Sequence, residues 1–462
     1  MTYTLEHLDQ EIFRAYDIRG IVDEALTDPV VYHLGRAFAA QAQQQQITTV
    51  VVGADGRLSC PRLKDVLIQG LREGGADVTD AGYIPTPLLY FAANHTDSQT
   101  GIMITGSHNP SNYNGFKMML GGNTLAGEEI QALKQRILQR DYTEGKGELS
   151  KIDIRPQYRK RVTEDIRLKR KLKVVIDCGN GIPGDIAPRL IEQLGCDVIP
   201  LYCDVDGNFP NHHPDPSKPA NLIDCIAAVK EHKADLGLAF DGDGDRVGVI
   251  TSSGAMIYPD RVMMLFAEDI LQRNPGSEII YDVKCSRLLG DVIRKAGGKA
   301  TMWKTGHSLI KRKMKASGAL LAGEMSGHIF FKERWFGFDD GLYSAARLLE
   351  ILSTRTKTLD EIFARYPEDI STPELNIDVR DDNKFGIVAK LQALEYPDGV
   401  ASRIDGIRVD YPDGWGLVRA SNTTPVLVLR FEAANQAALE RIRNQFQERL
   451  LAVDPSLVIP SE

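Results

Sequence analysis

Phe240-Asp241-Gly242-Asp243-Gly244-Asp245-Arg246 follows directly on the apolar run Leu236–Phe240 and sets three carboxylates at alternating positions. Alternation puts the acids on one side of an extended backbone, and the glycines let the loop curl until their oxygens converge. Converging carboxylates repel one another unless a cation lies among them, and an all-oxygen donor set suits a hard divalent ion such as Mg²⁺. A calcium EF-hand loop is excluded, because its sixth position would be Arg246 instead of Gly and its twelfth Ser252 instead of Glu. An idle Asp/Gly turn is the bland alternative, but a turn rarely needs three acids in phase. Arg246, beside a metal held by carboxylates, suits a phosphoryl group whose charge both cations share.

Three distant segments extend this reading. Thr105-Gly106-Ser107-His108-Asn109-Pro110 follows the apolar strand pattern Gly101–Ile104, so Ser107 falls at the C-terminal end of a strand, where α/β sheets bind ligands. Asn114-Gly115-Phe116-Lys117 comes just after it. No G-x-S-x-G elbow is present, and His108 adjoins Ser107, so nothing here points to a hydrolytic triad. Gly323-Glu324-Met325-Ser326-Gly327-His328 gathers an acceptor, a hydroxyl and a titratable ring, a set suited to adjacent sugar hydroxyls. Arg419-Ala420-Ser421-Asn422-Thr423-Thr424-Pro425 offers guanidinium, hydroxyl and amide donors in a turn whose backbone can receive an anion. Taken singly, each could be a solvated loop.

The rest of the chain reads as a repeated architecture. The run Ile47–Val52 leads to Gly53-Ala54-Asp55-Gly56-Arg57 and a helical pattern over Pro61–Glu73. Leu172–Ile176 leads to Asp177-Cys178-Gly179-Asn180-Gly181 and a helix over Gly184–Leu194; Glu278–Tyr281 leads to Asp282-Val283-Lys284-Cys285-Ser286 and a helix over Arg287–Ala296. Strand, Asp-bearing loop, helix, three times over, predicts three related α/β domains. The C-terminal part differs: strands over Ile407–Tyr411, Trp415–Arg419 and Val426–Phe431 precede a helix over Gln436–Leu451, an α+β domain carrying the arginine loop. Linkers are expected near Arg155-Pro156, Ser252–Gly254 and Tyr366-Pro367.

A chain of 462 residues with 43% hydrophobic content can bury several cores, at a prior of about 150 residues per domain. A net charge of −8 gives no global pull on nucleic acid or anionic membranes, so an acidic chain acting on an anion must concentrate its cations locally. Six cysteines without C-x-x-C spacing argue against zinc, iron–sulfur or thioredoxin chemistry. No apolar run approaches ~18 residues and the N-terminal segment lacks a signal pattern, so cytoplasm is the expected compartment.

Together with Ile12-Phe13-Arg14-Ala15-Tyr16-Asp17-Ile18-Arg19-Gly20, the four loops in this order resemble the α-D-phosphohexomutase superfamily, in particular its bifunctional bacterial phosphomannomutase/phosphoglucomutase branch. The resemblance implies three similar mixed-sheet α/β domains and a smaller C-terminal α+β domain around a central active-site cleft. The expected divisions are 1–153 with the serine loop, 154–254 with the metal loop, 255–367 with the sugar loop and 368–462 with the phosphate loop. It implies phosphoryl transfer between O1 and O6 of mannose and glucose phosphates, through a phosphorylated Ser107 and a hexose 1,6-bisphosphate.

Asp241, Asp243, Asp245 and the Ser107 phosphoryl group would hold Mg²⁺, with glucose or mannose 1,6-bisphosphate as activator. By the same resemblance, Ser107, His108, Lys117, Arg246, Arg19 and His328 are the candidate catalytic residues. Tyr16, Arg19, Lys284, Thr305, Gly306, His307, Glu324, Ser326, His328, Arg419, Ser421, Asn422 and Thr423 are the candidate substrate contacts. Trp335 is a candidate cleft aromatic. The expected partners are small hexose phosphates alone, with no nucleic acid or membrane, and the chain is expected to act as a monomer. A metal-dependent phosphatase and a non-catalytic sugar-phosphate binder remain as rivals.

Overall fold

The structure is a computed structural model describing residues 3–422 and 424–460. Four sheets follow one another along the chain. In the first three, the central strand is an apolar run buried on both faces, the pattern a parallel sheet requires.

In the first sheet the central strand Thr49–Ala54 pairs in parallel with Asp77–Tyr83 and Gly101–Ile104, and Tyr113–Leu120 runs antiparallel beside the latter. In the second, Lys173–Asp177 pairs in parallel with Asp197–Leu201 and Leu236–Phe240, and Val247–Thr251 is antiparallel. In the third, Glu278–Asp282 pairs in parallel with Lys299–Trp303 and Leu321–Gly323, and Ile329–Phe331 is antiparallel. The plan is the same each time. The serine loop, the acidic loop and the Glu324–His328 loop each join the third parallel strand to the antiparallel one, so one topological position is used for three purposes.

The aspartate at or just after the end of each central strand also recurs in one role. Asp55 accepts from Thr105 Oγ1 at 2.8 Å and Gly106 N at 3.2 Å. Asp177 accepts from Gly179 N at 2.9 Å. Asp282 accepts from Thr305 Oγ1 at 3.0 Å and Met325 N at 3.3 Å. Each carboxylate braces a neighbouring loop that would otherwise leave backbone donors unpaired.

The fourth sheet is antiparallel throughout. Ile370–Ser371, Val426–Ala433, Gly414–Ala420, Ile407–Tyr411 and Val400–Ser402 follow in order, with Leu375–Asp378 also pairing Val426–Ala433. Helices Lys384–Ala393 and Gln436–Val453 cover it. Its apolar core, from Leu375 to Leu457, is separate, whereas one continuous core runs from Val51 to Tyr366 through the first three sheets. The fourth unit is joined to the third by a small apolar cluster of Val283, Met302, Trp415 and Leu417 and by polar contacts: Arg408 donates to the Val283 and Cys285 carbonyls, Arg430 to the Lys284 carbonyl and Ser286 to Glu432.

Two local expectations are corrected. Arg155-Pro156 is no linker but the first turn of helix Arg155–Asp165, where a missing N–H costs nothing. The single helix expected over Gly184–Leu194 is a 3₁₀ turn, Ile182–Asp185, and then helix Ala187–Gln193. Among the described residues no helix is long and apolar enough to cross a membrane.

Candidate active site

Ser107 is fully buried and sits in the left-handed region, with φ +48°. Such backbone is unfavourable for a non-glycine residue and must be held by its surroundings. The holding group is Arg57, itself buried. Its guanidinium donates to the carbonyls of Ser107 (2.8 Å), Asn109 (2.6 Å), Pro110 (2.5 Å) and Tyr113 (2.9 Å). Gly106 makes room for it, since a Cβ there would lie 2.4 Å from Arg57 Cζ. So fixed, Ser107 Oγ donates to Asp241 Oδ2 at 2.9 Å and lies 3.1 Å from His108 Nδ1.

Asp241, Asp243 and Asp245 are each 0% exposed, and their ligand oxygens lie within 4.8 Å of one another. Lys117, on the strand after the serine loop, donates to Asp243 Oδ2 at 2.7 Å and pairs with Asp245. Thr86 Oγ1 (2.6 Å) and Thr105 Oγ1 (3.1 Å) also donate to Asp243 Oδ2. Burial, then the two neighbouring carboxylates, push Asp241 well above the usual carboxylate range. Burial works the same way on Asp245, but Lys117 and His328 outweigh it and hold that group well below. Asp243 Oδ1 finds no hydrogen-bond partner among the described residues, and Asp245 Oδ1 faces only the imidazole of His328. Three buried carboxylates whose oxygens converge, one of them with an unpartnered oxygen, fit a divalent cation.

Arg246 and His328 form an isolated antiparallel bridge that ties the acidic loop to the Glu324–His328 loop. Arg246 Nε lies 3.1 Å from His328 Nε2, and His328 Nε2 lies 3.3 Å from Asp245 Oδ1. On its other side His328 Nδ1 lies 3.0 Å from Glu324 Oε2 and 2.9 Å from Ser326 Oγ. Burial and Arg246 would lower the imidazole, but Asp245 and Glu324 together raise it to about 9. Glu324 Oε1 accepts from Gly306 N at 2.6 Å. Tyr16 packs edge-on against His307, centroids 5.4 Å apart, and burial before any other cause pushes its phenol up to about 12. Arg19 bonds Asn109 and Asp17 beside the serine loop.

The remaining candidates lie toward the fourth sheet. Arg419 donates through Nε to Asp405 Oδ2 at 3.1 Å, and its Nη2 is buried with no partner among the described residues. Asp405 Oδ2 also accepts from Thr305 N at 2.9 Å, so this carboxylate ties the arginine loop to the Thr305-Gly306-His307 turn. Ser421 Oγ lies 2.7 Å from Thr424 Oγ1, and Asn422 is half-buried in the same turn. Thr423 lies outside the described residues. Lys284 pairs with Glu374 at 2.9 Å across the boundary to the fourth unit.

Trp335 is corrected to a core residue. Its indole stacks on Tyr343 at 4.1 Å and donates to Asp340 Oδ2 at 3.1 Å, so packing and a buried acceptor explain it. The residues that motif reading passed over are braces: Arg57, Asp55, Thr86, Asp405, Lys311 and Asp339. Only the Gly53–Arg57 loop carried a signal for two of them, as one of the repeated Asp-bearing loops.

Family comparisons agree along the chain. The phosphoglucomutase/phosphomannomutase patterns for alpha/beta/alpha domains I, II and III match residues 10–144, 156–254 and 258–369, and the C-terminal domain pattern matches 374–449. A phosphomannomutase/phosphoglucomutase of Pseudomonas aeruginosa is 60% identical over 454 residues, 98% of each chain. A phosphoglucomutase of Neisseria gonorrhoeae is 53% identical, covering 98% of this chain and 99% of that one. The crystal structure of a phosphoglucomutase/phosphomannomutase family protein from Burkholderia thailandensis superposes with a TM-score of 0.93 at 50% identity, over 98% and 100% of the two chains.

Proposed function

The chain belongs to the phosphoglucomutase/phosphomannomutase family, and on that premise we propose that it interconverts the 1- and 6-phosphates of glucose and mannose. The observation that carries the reading is the 2.9 Å hydrogen bond from Ser107 Oγ to Asp241 Oδ2, which joins a nucleophile of one domain to the acid cluster of the next.

In the working form Ser107 carries a phosphoryl group on Oγ. A free hydroxyl of the bound hexose monophosphate attacks that phosphorus as the bond to Oγ breaks, its proton passing by way of a neighbouring base to Ser107 Oγ, giving a hexose 1,6-bisphosphate and a free serine hydroxyl. The intermediate turns over within the cleft, and its other phosphoryl group returns to Oγ. Asp241, Asp243 and Asp245 would hold Mg²⁺, which when bound would supply positive charge to the phosphoryl oxygens.

Arg246 and Lys117 add charge beside the reacting group, Arg57 keeps the serine backbone in place, and Arg19 steadies Asn109 of its loop. His108, beside Ser107 in the serine loop, and His328, against Asp245, are the groups from which proton transfer is drawn. Glu324 and Ser326 bind ring hydroxyls shared by both sugars. Arg419, Ser421, Asn422 and Thr423 grip the phosphate that is not reacting, with Lys284, Tyr16 and the Thr305–His307 turn on the facing wall.

The domain divisions are proposed at 153/154, 254/255 and 367/368, supported by the four sheets in succession. Because the fourth unit keeps its own main core and meets the third through only a small apolar cluster and polar contacts, it is proposed to close as a lid while the bisphosphate reorients. The six cysteines are unbridged, in keeping with a cytoplasmic enzyme, proposed to work as a monomer with glucose or mannose 1,6-bisphosphate as activator.

The test is a ³¹P NMR time course on each hexose 1-phosphate, with Mg²⁺ and a trace of glucose 1,6-bisphosphate. Growth of the 6-phosphate signal from both sugars supports the reading. Growth from one sugar narrows the substrate, and release of inorganic phosphate instead would overturn the reading in favour of a phosphatase.

A further inference from the structure

Lys311 lies one turn after His307 on helix His307–Ser317, so the two side chains share a face. Its ammonium has three protons and no lone pair, and each proton finds a receiver. Nζ donates to Asp339 Oδ1 at 2.7 Å, lies 3.2 Å from His307 Nδ1, and stands 4.1 Å from the centroid of the Tyr90 ring, within cation–π range. All of these groups are buried or nearly so.

This arrangement decides which ring nitrogen of His307 carries its proton. A nitrogen facing an ammonium at hydrogen-bond distance must offer its lone pair, so Nδ1 is the acceptor and the proton sits on Nε2. The rival for Nδ1 is Asp339 Oδ2, but at 3.5 Å it is too distant to claim a proton. Burial foremost, and then Lys311 and Lys117, hold the imidazole well below its ordinary range, so it does not take a second proton. His307 Nε2 is buried without a partner among the described residues, while its ring packs near Tyr16 and His328.

We infer that Lys311 is a positioning residue, braced by Asp339, that locks His307 as the neutral Nε2–H tautomer and so makes it a fixed hydrogen-bond donor to a substrate oxygen. Such a His307 cannot act as a general base: Nε2 already bears a proton and Nδ1 is committed to the ammonium. Proton transfer in this cleft then falls to other groups. The identity of the oxygen as a sugar or phosphate oxygen rests on the function proposed above; the tautomer does not.

The experiment is ¹⁵N NMR of the full chain labelled at histidine, without substrate, reading two-bond couplings between ring protons and ring nitrogens. His307 is identified by the signals that vanish in His307→Gln. Wild type should give a single Nε2–H pattern, Lys311→Met a mixture of tautomers, and Lys311→Arg the wild-type pattern. An Nδ1–H or doubly protonated pattern for His307 in wild type would overturn the inference.

In turnover, Lys311→Met should lower kcat/KM about tenfold, as for one lost hydrogen bond, and His307→Gln on top of it should cost little more. Fully additive losses would separate the two residues and overturn their coupling. If wild type fails to convert hexose phosphates at all, the proposed function fails while the tautomer pattern is still read.

Discussion

Lys117 Nζ donates to Asp243 Oδ2 at 2.7 Å, carrying a cation from the first sheet into the acidic loop of the second. The same ammonium pairs with Asp245, and both acids are fully buried. Removing one partner of such a pair strands the other charge in a low-dielectric site, at a cost of roughly 3–5 kcal/mol. Lys117→Met is therefore expected to lower the unfolding free energy by about that amount in chelator, and Mg²⁺ should restore part of it by binding the folded acids. Thermal unfolding with and without Mg²⁺ checks this, and equal destabilisation in both conditions would count against a cation site at the three aspartates.

Arg57 holds four carbonyls of the serine loop with one planar fork. A lysine keeps the charge but cannot reproduce the fork. Arg57→Lys should leave KM nearly unchanged and lower kcat by roughly 10²-fold, the scale expected for a misplaced reacting group. Steady-state kinetics decides it; a change confined to KM would show that the loop binds substrate instead of positioning Ser107.

Gly242 and Ser107 approach so closely that a Cβ at Gly242 would lie 2.4 Å from the Ser107 carbonyl oxygen. Neither backbone has slack, because Arg57 pins one and the acid cluster the other. Gly242→Ala should part the two loops and lower kcat by roughly 10²-fold while the chain stays folded by circular dichroism. Unchanged turnover would mean that the two loops need not touch during catalysis.

Asp340 offers a pH test away from the reacting groups. Burial raises its carboxyl to about 7, against hydrogen bonds from Tyr343 N, Tyr158 and Trp335 that pull it down. The folded chain thus keeps a proton that the unfolded chain releases near ~3.9, and more protons bound in the folded state means stability falls as pH rises. Between about pH 5 and about pH 7, wild type should lose on the order of 2 kcal/mol relative to Asp340→Asn, which does not titrate there. Urea unfolding of both proteins across that window measures it; parallel curves would refute the raised carboxyl.

Glu374 and Lys284 face each other across the boundary of the fourth unit. If that unit closes over the bisphosphate, solution scattering should show a more compact particle with a non-hydrolysable substrate analogue bound. Glu374→Gln should shift the ligand-free profile without altering the bound one. Identical profiles with and without the analogue would argue against a lid.

Much of this molecule was legible in the chain. The three strand–Asp-loop–helix units gave the repeated α/β domains, because buried parallel strands are written as short apolar runs with little else at their length. The Asp241–Arg246 loop was legible as a set of converging carboxylates able to hold a metal, because acids in phase have few structural uses. The helix at Arg155 was missed because Pro at a first helical turn and Pro in a linker look alike in sequence. Trp335 could not be assigned from its type alone, since a large aromatic serves a core and a cleft equally well.

Sequence alone determined the residue chemistry of each loop and the α/β or α+β class of each domain, because both follow from neighbours only a few positions apart. It did not determine which side chains hold those loops in place. Arg57 on the serine loop, Lys117 between Asp243 and Asp245, and Lys311 on His307 are pairings of which only the last is local, and even that one depends on Asp339 and Tyr90 from elsewhere in the chain. Their meaning comes from burial, which turns ordinary basic residues into the counter-charges of a low-dielectric cleft. That burial exists only once the domains have packed.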